Sequence, residues 1–143
     1  CGALYLAFQL IRLANPGARV FMGVPTWPNH PPMARGADLE MVEYPHLDRE
    51  TGGVRIDALL NSLADARPGD VVLLHGCCHN PTGADLTSQE WDQVARVVAE
   101  RELLPLVDMA YQGLGRGLEE DAYGVRAILD VCDNALVAQS CDK

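Results

Sequence analysis

Apolar and polar positions change period repeatedly along the chain. From Ala3 to Asn15, residues Leu4, Ala7, Phe8, Ile11 and Ala14 recur at three- and four-residue intervals, and Asn15-Pro16-Gly17 stops the run. That spacing predicts a helix. Arg19–Val24 is a short strand-like run, followed by a proline-rich stretch, Pro25 to Pro32, that reads as a loop. Leu39–Tyr44 reads as a strand, Asp48–Gly53 as a turn cluster, Ile56–Ala66 as a helix by period and Pro68-Gly69-Asp70 as a turn. Val71–Leu74 is the continuous apolar run of a buried strand. Thr87-Ser88-Gln89-Glu90 has the form of a helix N-terminus, and the helix it opens carries Trp91, Val94, Ala95 and Val98 on one face. Leu103–Val107 is the next strand, ending at Asp108; a helix runs through Val125–Val131, and Ala135–Ala138 is the last strand before "QSCDK".

Strands that alternate with helices predict an α/β domain, a three-layer α/β/α arrangement around a mostly parallel sheet. No internal repeat, low-complexity tract or linker divides residues 1–143. The chain opens at Cys1 without a methionine and stops at Lys143 directly after an apolar run. The expectation is a piece of a longer protein.

Composition narrows the partners. The chain has 143 residues, 48% hydrophobic and 22% charged, enough for a packed core. Its formal charge of −9 repels phosphate backbones, so nucleic acid is excluded as an expected partner. No apolar run approaches the ~20 residues of a membrane span, and no signal-peptide pattern is visible. Five cysteines, with Cys77 and Cys78 adjacent, do not make a secreted disulfide framework; a reducing cytoplasm suits them better.

In open α/β sheets, ligands bind beyond the carboxyl ends of the strands. Val71–Leu74 delivers His75, His79 and Asn80 there; Leu103–Val107 delivers Asp108 and Tyr111; Ala135–Ala138 delivers Ser140 and Lys143. The loop after Val24 adds Trp27, Asn29 and His30. The stretch "HGCCHNPTGADLT" first suggests a metal, since His75 and His79 fit a ligand spacing loosely. Adjacent cysteines, however, point to opposite faces of an extended chain, and no second pair lies nearby. The C-x-x-C spacing of a redox pair is missing as well. Both cysteines are read as small packed residues at a strand end, and no metal is expected.

Four motifs, "TWPNH", "HGCCHNPTG", "LVDMAYQGLGRGLEED" and "QSCDK", occur in the order of the class I aminotransferases. The chain resembles that family, and within it the aspartate and aromatic amino acid aminotransferases, along nearly its whole length. The resemblance implies pyridoxal 5′-phosphate (PLP) as cofactor and a partial large PLP-binding domain of the fold type I transferases, without the small domain. It implies amino-group transfer between an amino acid, aspartate or aromatic, and a 2-oxo acid such as 2-oxoglutarate by a ping-pong route. It also implies a homodimer when intact.

Residue by residue, Lys143 resembles the lysine that forms a Schiff base with PLP and shuttles the proton. Asp108 resembles the carboxylate that keeps the pyridine nitrogen protonated. Tyr111 and Asn80 resemble the phenol and the amide that donate to the cofactor's ring oxygen, with Pro81 fixing the chain after Asn80. Trp27 resembles the indole that stacks on the ring, Ser140 a phosphate-binding serine and His30 the partner that orients the Asp. His75 belongs either beside His30 or to the packed core. Cys1 and Gly2 fall at the edge of the family's phosphate loop, where the N-terminus of the helix from Ala3 favours an anion.

There are departures. Cys1 stands where relatives usually have threonine, and Asp142 where a serine is common. An acid at Asp142 would either raise the lysine's pKa or point outward. Arg116 and Arg126 match neither substrate-carboxylate arginine of the family. Two further readings stand beside the transferase: a PLP lyase or decarboxylase on the same fold, and a non-catalytic PLP-binding domain.

Overall fold

The computed structural model describes residues 1–141 and 143. Its elements are α1 (Gly2–Ala14), β1 (Arg19–Val24), α2 (His30–Gly36), β2 (Glu40–Pro45), α3 (Ile56–Ala64) and β3 (Val71–His75), then α4 (Ser88–Glu100), β4 (Leu104–Met109), α5 (Leu118–Asp121), α6 (Tyr123–Leu129) and β5 (Leu136–Gln139). The strands form one five-stranded sheet in the order β2-β1-β3-β4-β5, with every pairing parallel. Helices pack on both faces, which is the three-layer arrangement that the alternating pattern predicts.

The central strands β1, β3 and β4 are largely continuous apolar runs because both of their faces are covered. Val20, Met22, Val71, Leu73 and Leu106 meet Leu4, Phe8 and Ile11 of α1 and Ala34 of α2 on one side. Phe21, Val72 and Leu74 meet Leu59 and Leu63 of α3, Trp91, Val94 and Val98 of α4 and Ile128 of α6 on the other. The predicted capping box closes α4: Thr87 Oγ1 accepts from the Glu90 backbone N–H at 3.2 Å, and the Thr87 N–H donates to Glu90 Oε2 at 2.7 Å. Gly124 of α6 lies flat against the Trp91 indole, where a Cβ would collide with the ring.

Three expectations shift. The stretch Pro25 to Pro32 is not all loop: α2 begins at His30, with prolines at its first positions, where a missing N–H costs nothing. The helix expected at Val125–Val131 runs Tyr123–Leu129, preceded by the short α5, whose one turn is too brief for a periodic signal. β4 extends past Val107 to Met109, so Asp108 sits inside the sheet rather than at the strand's end.

The parallel order brings the carboxyl ends of all the strands to one edge. Register aligns His75 of β3 with Asp108 of β4, and Asp108 with Ala138 of β5. The chain reverses direction across the sheet between β1 and β3, and the crevice at such a switch point is where doubly wound sheets take ligands.

Candidate active site

Asp108 is the fixed point of this edge. His30, fully buried at the start of α2, places Nε2 2.9 Å from Asp108 Oδ2. A carboxylate only accepts, so His30 donates from Nε2. Its other nitrogen, Nδ1, lies 2.8 Å from Thr26 Oγ1, and the same hydroxyl lies 3.0 Å from His75 Nε2. Thr26 has one proton to give. With one proton on each ring, Thr26 donates to His30 and accepts from the His75 Nε2–H. The hydroxyl therefore links both histidines to the acid in one directed chain.

All four histidines of the sequence join this group. The His75 ring sits 4.0 Å from His79, and His79 stacks on His46 at 3.8 Å and 11°. Burial pushes the His75 pKa down to about 2, helped by the charges that His79, His30 and His46 would carry. His79 is pushed down to about 3, again mainly by burial and then by His46. These rings are neutral packing and hydrogen-bonding groups at physiological pH. Among the described residues, no group of three or more His, Cys, Asp or Glu side chains is placed to hold a metal.

Asn80 follows β3 on a tightly held loop. Asp85 Oδ2 accepts from the Cys78 N–H and Oδ1 from the His79 N–H, both at 2.7 Å. Cys78 takes a left-handed conformation, φ +49°, that L residues rarely adopt. Cys77 is buried against Met109, with Sγ 3.7 Å from Sδ, and burial followed by neighbouring Cys78 pushes its thiol up to about 12. That thiol is packed and unreactive. Its neighbour Cys78 is half-buried.

Tyr111 lies just beyond β4, and the Lys143 Nζ stands 5.0 Å from the centre of its ring. The loop after Tyr111 is closed by Asp121, a buried carboxylate that accepts from the backbone N–H of Gly113, Gly115 and Arg116 at 2.8–2.9 Å. Burial acts to raise its pKa, but these N–H groups outweigh it and hold the carboxyl below its ordinary value. Gly2, Trp27, Asn80, Asp108, Tyr111, Ser140 and Lys143 all line one cavity of about 480 Å³. Cys1 lines it too, at the N-cap of α1, and gives that helix end no side-chain cap. His30 does not line the cavity; it backs Asp108, Trp27 and His75, which do. Trp27 lines the cavity, sets its ring edge-on to His30 at 5.3 Å and packs against the apolar cluster under α1. Asp142, the departure before Lys143, lies outside the described residues.

Sequence reasoning missed Thr26, Asp85 and Asp121. Each left a faint signal: a hydroxyl four residues before His30, an acid closing an Asn-Pro-Thr-Gly turn, and an acid after a glycine-rich run whose backbone N–H groups need an acceptor.

The cavity has the size of a small-molecule site. Its content suits a flat, phosphorylated pyridine: an acid with a buried orienting partner, an indole, two neutral hydrogen-bonding groups and an amine. An uncapped helix N-terminus beside a serine suits the phosphate. Fold and cavity together define the class, a ligand-binding α/β domain with its site at the sheet's carboxyl edge.

The family model for aminotransferase class I and II matches residues 1–143. The chain is 49% identical over 142 residues to the aromatic-amino-acid aminotransferase of Paracoccus denitrificans, a match covering 99% of this chain and 36% of that protein. It is 46% identical over 142 residues to the aspartate aminotransferase of Escherichia coli (strain K12), with the same coverage of both. The solved structure of an aromatic-amino-acid aminotransferase from Burkholderia pseudomallei covalently bound to pyridoxal phosphate superposes with a TM-score of 0.96 at 43% identity, over 99% of this chain and 36% of that one. The chain belongs to the class I and II aminotransferase family. It spans about a third of the length of the curated relatives it matches, 36%.

Proposed function

We propose that this chain is part of the large domain of a PLP-dependent aminotransferase, and that the whole protein moves an amino group between an amino acid and a 2-oxo acid. The carrying observation is the convergence of Lys143, Tyr111, Asn80 and Asp108 on one cavity, with Asp108 oriented by buried His30. PLP, when bound, supplies an electron sink for the charge that develops at the substrate's α-carbon.

The chain's own residues do the rest. Asp108, with one oxygen engaged by His30, keeps the other for a protonated ring nitrogen. Tyr111 and Asn80 donate hydrogen bonds to the ring oxygen, and Trp27 covers the ring's face. Gly2, at the start of α1, and Ser140 hold the phosphate. Lys143 would hold the cofactor through Nζ and, as a free amine, would hold the proton moved to and from the substrate's α-carbon.

Aspartate or an aromatic amino acid, with 2-oxoglutarate as acceptor, are the substrates that the relatives' names support. Those names speak of amino-group transfer, which favours this reading over a lyase or decarboxylase. A homodimer in the cytoplasm belongs to the same proposal by family likeness. No helix among the described residues is long and apolar enough to cross a membrane.

The test is to titrate the protein with PLP, record the visible absorbance, then reduce with borohydride and map the modified peptide. A band that appears with PLP, a cofactor fixed on the peptide holding Lys143, and loss of both in Lys143→Ala are expected. No band at saturating PLP would overturn the proposal.

A further inference from the structure

Asn80 is a proposed cofactor contact on the loop after β3, and the residues around it fix where its side chain starts. The residues on either side of it are held closely. Both oxygens of Asp85 are used on the two residues before Asn80, at 2.7 Å to the Cys78 N–H and 2.7 Å to the His79 N–H. The His79 carbonyl accepts from the Gly83 N–H at 2.7 Å, closing the turn around Asn80 and Pro81. The His79 side chain is fixed separately. Its ring lies between His75 and His46, and its Nδ1 is 2.9 Å from Thr82 Oγ1. Thr82 Oγ1 in turn accepts from the Ala84 N–H at 3.1 Å, and His46 Nε2 donates to the Ala84 carbonyl at 2.9 Å.

We infer that Asp85 is a positioning residue: its carboxylate, acting through the backbone of Cys78 and His79, aims the Asn80 amide into the cavity. The chemistry favours an acid over its amide. Two backbone donors arrive at two separate oxygens, and only a carboxylate accepts at both. The left-handed Cys78, φ +49°, is a conformation that the clamp must hold against its own preference. Asp85 is itself exposed and does not line the cavity, so its effect on the site passes through the loop alone. This inference rests on the PLP reading for its consequence, whereas the clamp itself does not.

The experiment has a cofactor-free arm and a PLP arm. In the protein without cofactor, Asp85→Ala is expected to speed hydrogen exchange at the Cys78 and His79 amides about tenfold, the factor that accompanies loss of a charge-assisted hydrogen bond. The ¹⁵N relaxation of the Asn80 side-chain amide should show lost order. Asp85→Asn, which keeps one accepting oxygen, should show a smaller change in the same direction and serves if the alanine variant does not fold. With PLP bound, the pH midpoint of the absorbance band should move in Asp85→Ala in the same direction as in Asn80→Ala, and the double variant should move it no further. Unchanged exchange and an unchanged Asn80 amide overturn the inference. So does faster exchange with a wild-type midpoint when Asn80→Ala shifts it. A wild-type protein that gives no band overturns the proposed function instead, and the cofactor-free arm still decides the clamp.

Discussion

The histidine column makes the fold sensitive to mild acid. His75 and His79 are neutral in the folded protein down to about 2 and about 3, because burial and neighbouring rings disfavour the cation. In the unfolded chain the same rings titrate near 6.5. The unfolded state therefore binds more protons in this range. Stability is fully present above pH 6.5 and is lost as the pH falls toward the folded values. From about pH 7 to about pH 5.5 each ring costs roughly 1.3 kcal/mol, about 2.5 kcal/mol for the pair. Partial solvent access to the rings reduces this to about 2 kcal/mol. His46, also lowered by burial, acts in the same direction, opposed by its Ala84 hydrogen bond and by the Asp85 charge. Depressed carboxylates do not confuse the measurement: Asp70 and Asp121 withdraw their stability only below the ordinary value of 3.8. Urea unfolding at the two pH values measures the difference. His79→Phe keeps a ring in the stack and should remove about half of the pH dependence. A loss below about 0.5 kcal/mol, or the full loss in His79→Phe, would refute the reasoning.

Three further outcomes follow from local geometry. Thr87→Ala opens the capping box at α4 and should cost about 1 kcal/mol in urea unfolding. Gly124→Ala drives a methyl into the Trp91 ring and should cost about 1–3 kcal/mol, with a change in tryptophan fluorescence as the indole shifts. Asp121→Ala leaves the N–H groups of Gly113, Gly115 and Arg116 without their acceptor; about 1–3 kcal/mol of lost stability is expected, with faster exchange of those three amides.

Much of this architecture is legible in the residues, because each visible part rests on a local rule. Val71–Leu74 is apolar at every position since helices cover both faces, and Thr87 with Glu90 writes a helix start in four residues. The proline-rich stretch misled because proline stops a helix in its interior yet suits its first turn, and α2 begins His30-Pro31-Pro32. The places of Asp108, Tyr111, Asn80 and Lys143 around one cavity were legible from the neighbouring strands and from motifs. Thr26, Asp85 and Asp121 were not, since each owes its importance to a partner's backbone or ring brought close by the fold. The span from Thr26 to His75 is 49 residues, and no periodicity or spacing rule bridges it.

Asp108 and His75 face each other across the β3–β4 ladder, held by the same hydrogen bonds that hold the sheet. Asn80, Tyr111 and Lys143 hang from the segments beyond it. The site is therefore built in two grades of permanence. Its acid is as durable as the central strands, present whenever the sheet is present. Its amide, phenol and amine have the lower durability of the loops that carry them, and those loops can be rebuilt by substitution without relocating the acid.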